Sequence, residues 1–402
     1  MGVSTAQRVA EATVPASTAP AVEPQQPLAG RVMSLDIFRG ITIAGMILVN
    51  NAGDGEAAYW PLKHSQWNGW TPTDLVFPFF LFIVGVSMVF SFASRLKRGE
   101  SRAHLMLHVV KRSAILFAIG VFIINSFPNH YNLHHIRIEG VLQRIAVCYL
   151  VCSVLVLWTG PRAQLAAIPI FLIGYWVLMR FVPVPGFGVP THDIPLLDPD
   201  RNLAAWLDRK LLFGHLYEGT RDPEGVLSTI PALATTLIGV LTGEWLRSSA
   251  SAKRKAAWML AMGVVGLAAG KFFNLWFPIN KKLWTSSYVL FAAGFALVCL
   301  AVCFWLLDVK QERGRWTLPA IVFGANAIAA YTFSEVLANV LEAYHVQLAS
   351  GGVLTWQELI YQRVFAPLAN PANSSLLYSL AFVLVCWLFA WLFYRKRIFI
   401  KV

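Results

Sequence analysis

The sequence predicts an all-α, polytopic bundle of about ten membrane-spanning helices with both termini cytoplasmic, and three observations predict it. The first is composition. Of 402 residues, 57% are hydrophobic and only 13% charged, and the mean hydropathy is +0.57. A soluble globular chain has about 45–50% apolar and about 25% charged residues, so the bilayer is the main solvent. The second is the recurrence of apolar runs near the length that crosses a hydrocarbon core, roughly 20 residues each. The third is a basic cluster in every other connection between those runs.

In chain order, residues 1–30 are rich in Ala, Pro, Thr, Val and Gln, lack the apolar stretch of a secretory signal, and are expected to form a disordered tail. Residues 31–402 then form one transmembrane domain. Its apolar runs fall at 37–53, 74–94, 109–126, 140–158, 164–182, 226–246, 256–277, 284–307, 318–341 and 375–394. Arg95, Lys97, Arg98, Arg102, Lys111 and Arg112 follow the second run, Arg162 the fourth, and Arg247, Lys253, Arg254 and Lys255 the sixth. Lys310, Arg313 and Arg315 follow the eighth, and Arg395, Lys396, Arg397 and Lys401 the tenth. The positive-inside rule assigns these connections and both termini to the cytoplasm.

The loops at 54–73, 127–139, 183–225, 278–283 and 342–374 then share the opposite face, with Lys281 and Lys282 as a local exception. They carry His64, His130, His134, His135, His192, His215 and His345, while His104 and His108 fall in a cytoplasmic connection. The net charge of +12 is scattered between apolar runs rather than along a soluble face, so no nucleic-acid partner is expected and the lipid bilayer is. All five cysteines lie inside apolar runs and read as small packing residues, not as a disulfide framework. No Walker loop, G-x-G-x-x-G, H-E-x-x-H or Cys/His zinc spacing is present, which disfavours nucleotide hydrolysis and a metal. No internal repeat of the transporter kind is evident.

Two groups of residues carry candidate chemistry. The stretch from Asn50 to Pro78 packs Trp, Asn, Gly and His against the start of a Phe-rich run. An interfacial aromatic belt accounts for Trp60, Trp67 and Trp70, but not for the polar residues among them. His64 is a neutral-pH base candidate, and Asp74, ten positions on, is placed to hold its other ring nitrogen. The plainer alternative is a loop histidine beside an ordinary acidic residue at a helix N-terminus.

The second group is polar and lies in or at the ends of runs: Asp36, Arg39, Asn50, Gln143, Arg144, Glu244, Lys271, Asn274, Asn326, Glu335 and Asn339. Such residues mark either a functional interior or interhelical hydrogen bonding and snorkelling. Tyr331, Glu335 and Asn339 repeat at i,i+4 and predict one face looking into a polar cavity.

The segments SLDIFRGITIAGMILVN (34–50), KHSQWNGWTPTDLVFPFFLFIVGVSM (63–88), LQRIAVCYL (142–150), DPEGVLSTIPALATTLIGVLTGEWL (222–246), PINKKLWTSSYVL (278–290), GANAIAAY (324–331) and YRKRIFIK (394–401) resemble the heparan-α-glucosaminide N-acetyltransferase family. The resemblance covers essentially everything after residue 31. It implies an acetyltransferase that takes acetyl-CoA from the cytosolic side and acetylates glucosamine or a terminal glucosaminide on the other side, with no metal. It also implies a multi-pass bacterial inner-membrane protein of the transmembrane acyltransferase superfamily. Nothing before residue 31 resembles the family's luminal N-terminal domain and first span, so a compact relative of the kind found with N-acetylglucosamine utilisation genes is expected.

By motif, His64 corresponds to the family's active-site histidine, and Asp74 and Asn50 fall where the pattern places other pocket residues. Arg112, Tyr394 and Lys401 are similar to positions expected to hold the nucleotide portion of CoA, and Arg39 and Arg144 are phosphate candidates by charge and placement. A homodimer rests on the resemblance alone. Acetyl transfer either directly from CoA with His64 as base or through an acetylated His64 fits the sequence. The competing functions are an amino-sugar transporter or permease, and an O-acyltransferase of a surface polysaccharide.

Overall fold

The computed structural model describes residues 32–126, 132, 134–348 and 352–400. The expected tail at 1–30, His130 and Lys401 lie outside the described residues. Met33–Val402 forms a single unit. Nine of its helices among the described residues are long and apolar enough to cross a membrane, and a bent pair has the length and composition for a tenth span.

Every predicted run is a helix. The elements are α1 (Met33–Asn50), α2 (Val76–Lys97, entered through a 3-10 turn at Pro72–Leu75), α3 (Arg102–Ala118, prolonged by a π-helical stretch Ile119–Asn125), α4 (Val141–Trp158) and α5 (Pro161–Phe181). A short α6 (Leu203–Leu211) interrupts the long loop that follows. Then come α7 (Thr229–Arg247), α8 (Ala252–Phe273), α9 (Ser286–Phe304), α10 (Leu318–Ala325), α11 (Ala327–Ala343), α12 (Trp356–Ile360) and α13 (Pro371–Arg395). The only sheet among the described residues is the hairpin β1 (His345–Gln347) and β2 (Val353–Thr355).

Two boundaries depart from the sequence reading. α3 begins seven residues before its apolar run, because the Ser101 side chain caps the His104 N–H and a polar face carries His104, His108 and Lys111. His104 and His108 are therefore helical rather than part of a connection. The ninth run is also not one straight helix. It breaks at Asn326, where the pair Arg315–Ala325 and Ala327–Ala343 bends by 76°.

α2 and α7 form the most enclosed pair, while α5, α8 and α13 present most of their apolar surface outward, as lipid-facing helices do. Contacts between helices run through small residues, which let backbones approach where no hydrophobic drive separates protein from lipid. Gly85 on α2 and Gly239 on α7 are pressed against each other's backbones, and Gly263, Gly266, Gly270 and Gly294 do the same between α8 and α9. Gly40 on α1 meets the Ala320 carbonyl of α10, and Gly324 meets that of Asp36.

The two ends of the bundle differ in how they hold charge. At the end bearing the 51–71 loop, cations are consumed by acids: Arg137 pairs with Asp222 and Glu224, Arg201 with Asp198, Arg221 with Asp200 and Glu218, and Lys282 with Glu218. The opposite end carries the start of α1, the end of α13 and the basic clusters that follow alternate spans. Asp308 there accepts the first free N–H groups of α1, from Met33 and Ser34.

The packing makes a checkable distinction among glycines. Gly40→Ala would overlap the Ala320 carbonyl and is expected to destabilise the bundle by about 1–3 kcal/mol, read as a lower unfolding temperature in detergent. Gly174→Ala on α5, where an added β-carbon meets nothing within 4 Å, is expected to leave that temperature unchanged or raised.

Candidate active site

His64 lies in the loop between α1 and α2, and a turn at the mouth of α2 decides its orientation. Pro72 sits in the first turn of the 3-10 segment, and the Asp74 carboxylate reaches back to the Thr71 backbone as the acid of a capping box does. Oδ2 of Asp74 accepts from Thr71 N at 2.9 Å and from Ser65 N at 3.0 Å, and it lies 3.1 Å from Thr71 Oγ1. Oδ1 lies 2.6 Å from Nδ1 of His64. Asp74 is 1% exposed, whereas the His64 side chain is 44% exposed.

The tautomer follows from these contacts. A carboxylate that already takes two backbone N–H donors accepts a third from His64, so Nδ1 carries hydrogen and Nε2 is left as the imidazole's acceptor, directed away from the anchor. The loop is pinned on both sides. Thr71 Oγ1 donates to Lys63 O, Thr73 Oγ1 to Pro61 O, and Gly69 N to Ile279 O at 2.7 Å.

Beneath the pair lies a buried aromatic floor. The Tyr288 hydroxyl donates to the Asp74 carbonyl, and Trp284 stands edge-on between Phe77 and Tyr288 at centroid distances of 5.0 and 5.4 Å. Trp284 is fully buried with φ of 50°, a left-handed conformation that costs a bulky residue about 1–3 kcal/mol. The turn around it supports that geometry: Trp284 Nε1 donates to Thr235 Oγ1, and Asn280 Oδ1 accepts from Leu283 N.

Arg144 belongs to this floor. It is fully buried, its guanidinium 5.0 Å from the Trp284 ring, and Nη2 donates to Gly225 O and Ser228 Oγ. Charge and placement had made Arg144 a phosphate candidate beside Arg39. The first turn of α4 opens at the His64 end, so Arg144 is at a different level of the bundle from Arg39, which bonds Ser87 within α2.

Asn50 does not join the His64–Asp74 pair. It caps the end of α1 and reaches across to Glu335 of α11, Nδ2 to Oε1 at 3.5 Å, while Tyr331 also hydrogen-bonds Glu335. Asn339 on the same face donates to Ile124 O, a carbonyl within the π-helical stretch of α3. Part of the i,i+4 stripe on α11 is thus interhelical hydrogen bonding. Asn274 instead ties down the loop after α8, its Oδ1 accepting from Ile279 N, and Lys271 of α8 lies over the Phe291 ring of α9.

The nucleotide candidates occupy three different places in the half of the bundle that carries the termini. Arg39 bonds Asp36, Ser87 Oγ and the Gly324 carbonyl. Arg112 lies over the Tyr149 ring at 5.0 Å, and Tyr394 packs edge-on against Phe399. Along α11 lies an open apolar cavity of about 310 Å³, lined by Ile119, Ile328, Thr332, Phe333, Phe389 and Ile400. A narrow gap lined by Met46, Phe80, Val141, Ile145 and Tyr331 shares Ile328 with it.

The sequence reading missed an ionic cluster beside the floor. Arg137 forms a two-pronged bond with Asp222, at 2.8 and 2.6 Å, and bonds Glu224 at 2.6 Å. Burial opposes the Arg137 charge, but Asp222 and Glu224 outweigh it and hold the guanidinium above its usual value. Burial likewise works against Glu224, whose carboxyl Arg137, Lys281 and Arg144 nevertheless keep below the usual range. Burial pushes Glu139 up to about 7 and Asp208 up to about 6. The available signals were Arg137 just ahead of an apolar run and the acids of DPEG, but their pairing joins segments far apart in the chain.

Fold and site together define a polytopic helical membrane protein with a carboxylate-oriented histidine at one end of its bundle. The chain belongs to the heparan-α-glucosaminide N-acetyltransferase family, whose catalytic-region model, "Heparan-alpha-glucosaminide N-acetyltransferase, catalytic", matches residues 31–270. It is 35% identical over 375 residues to the heparan-alpha-glucosaminide N-acetyltransferase of Mus musculus, covering 79% of this chain and 55% of the relative. To the Homo sapiens protein of the same name it is 34% identical over 366 residues, covering 77% and 53%. The chain spans about half the length of the curated relatives it matches. The matched region contains His64, Asp74, Asn50, Arg137 and Glu224.

Glu139 gives a pH test of the ionic cluster. Its carboxyl is raised from an ordinary value near 4.5 to about 7, so the folded protein binds a proton that the unfolded chain releases. The resulting stabilisation is full below the ordinary value and is lost as pH rises through about 7. Glu139→Gln is expected to weaken the fall in unfolding temperature between pH 5 and 7.5, roughly the window bounded by the two carboxyl values. An unaltered slope would mean that Glu139 is ionised throughout.

Proposed function

We propose that this chain is an integral-membrane N-acetyltransferase. It transfers acetyl from acetyl-CoA, bound at the end carrying the termini, to the amine of glucosamine or a terminal glucosaminide bound beside His64. The observation that carries the reading is the 2.6 Å contact between His64 and a fully hydrogen-bonded Asp74, within a family whose named relatives are acetyltransferases of this kind. The basic clusters support assigning the donor end to the cytoplasm, and the membrane is assigned as a bacterial inner membrane.

The chemistry assigned to the site is acyl transfer to a neutral amine. The amine nitrogen attacks the thioester carbonyl carbon and a C–N bond forms. Nε2 of His64 takes the proton that nitrogen sheds, the C–S bond breaks, and the imidazolium returns the proton to the departing thiolate. The products are the amide and free CoA, and His64 ends as it began. Asp74 stays ionised, fixes the Nδ1–H tautomer and stabilises the transient imidazolium. Asn50, at the adjacent helix end, is assigned as an amide donor for the tetrahedral oxyanion.

The donor arm is assigned to the apolar cavity along α11, and its phosphates to the basic residues around Arg112, Tyr394 and Lys401, with Arg39 deeper in. Arg144 has no phosphate role in this account, because it supports the floor under Asp74. A permease for amino sugars draws support from the break between α10 and α11, since discontinuous helices recur in transporters. It predicts uptake without acetyl-CoA that survives His64→Ala.

Purified protein supplied with labelled acetyl-CoA and glucosamine is expected to form labelled N-acetylglucosamine, and His64→Ala to reduce this to background. Equal product from both proteins would remove the enzyme reading. Asp74→Asn keeps the shape but destroys the acceptor pattern, and is expected to lower kcat by on the order of 10³–10⁴-fold. Initial rates over both substrates are expected to give intersecting lines, whereas parallel lines would favour an acetylated His64 over direct transfer.

A further inference from the structure

Asn326 stands at the 76° break between α10 and α11, and it is only 2% exposed. Its side chain bonds to the C-terminal segment rather than to either helix it joins. Nδ2 donates to the Ile398 carbonyl at 3.1 Å, and Oδ1 accepts from the Ile400 N–H at 2.9 Å. One amide thus engages a carbonyl and an N–H two residues apart, the contact pattern a neighbouring strand would offer.

The chain is bent back to meet it. Arg397 has φ of 56°, Arg397 N donates to Tyr394 O, and Ile398 N donates to Phe393 O. The segment's own side chains bury little: Ile398, Phe399 and Ile400 are 46%, 44% and 39% exposed. The Asn326 amide is therefore a major tie on a segment with weak apolar anchoring. Each such bond corresponds to roughly a 2–10-fold change in population, which holds a segment while letting it open.

What the segment covers gives the tie a consequence. Ile400 completes the wall of the apolar cavity formed by Ile119 of α3, Ile328 and Thr332 of α11, and Phe389 of α13. Thr332 contributes a buried hydroxyl with no hydrogen-bond partner. Asn339 and Glu335 lie further along α11, toward the His64 end, so α11 runs from the latch to the level of Asn50.

We infer that Asn326 is a latch that holds residues 398–400 as a separable wall of this cavity, and that release of the segment admits and discharges the acyl donor. The inference rests on the donor assignment made above. Asn326 touches no reacting atom and is a positioning residue.

The test combines kinetics with hydrogen exchange of the C-terminal peptide in the full-length protein. Asn326→Leu removes both bonds. Ile400→Pro removes only the N–H that Oδ1 accepts and leaves the helix break untouched, so it keeps the test valid if the first variant fails to fold. Each is expected to speed exchange across 398–400 and to raise KM for acetyl-CoA about fivefold or more, with kcat within about twofold. The double variant is expected to match Asn326→Leu alone.

The latch is overturned if exchange is unchanged in Ile400→Pro, or if the two effects add. The gating role is overturned if exchange accelerates while KM for acetyl-CoA does not move. Absence of acetyl-CoA turnover in the wild type would instead defeat the donor assignment and the gate with it, and the exchange result would then report on the latch alone.

Discussion

A carboxylate that is 1% exposed at the border of an apolar bundle has to be fully hydrogen-bonded, and most of the architecture at the His64 end follows from meeting that condition for Asp74. One of its bonds comes from Thr71 N in the turn that opens α2, one from Ser65 N in the loop, and the third fixes His64. The fixed turn in turn requires support from below. Tyr288 supplies a hydroxyl to the Asp74 carbonyl, Trp284 accepts a left-handed backbone to fill the space between Phe77 and Tyr288, and Arg144 is buried against the Trp284 face. A half-exposed imidazole is thereby held in one tautomer by groups that themselves have no solvent.

The same economy governs charge. At the His64 end, Arg137, Arg201, Arg221 and Lys282 are matched by Asp222, Glu224, Asp198, Asp200 and Glu218, so loops that hold many cations present little net positive charge. The basic clusters at the other end have far fewer acids near them in sequence. The positive-inside rule makes that asymmetry the expected orienting signal, and in the proposed function it draws an anionic donor to one end and an amine acceptor to the other.

Membrane solvent made the helices legible, because each run had to supply about 20 apolar residues to cross. The start of α3 was not legible, since a helix turn with His104, His108 and Lys111 on its solvent face has the composition of a loop. The break at Asn326 left no local signal, and the side chain there bonds Ile398 and Ile400, some 70 positions on. The His64–Asp74 pair was readable from a ten-residue separation and the residue types alone. Arg144 stands at the start of the fourth run, a position that puts it with the His64 loop, and its charge gave no sign of that. The Arg137 cluster joins the connection before α4 to the one before α7, and such pairing leaves no local pattern.

The account has one feature that a conventional acetyltransferase would not share: donor and acceptor meet from opposite sides of the bilayer. The direct test is acetyl transfer in sealed proteoliposomes of uniform orientation, with acetyl-CoA confined to the side facing the chain termini and glucosamine to the other. The wild-type protein is predicted to accumulate N-acetylglucosamine in the glucosamine compartment, and His64→Ala to accumulate none. Product that forms only when both substrates share the donor side, or equally in the two proteins, would contradict it.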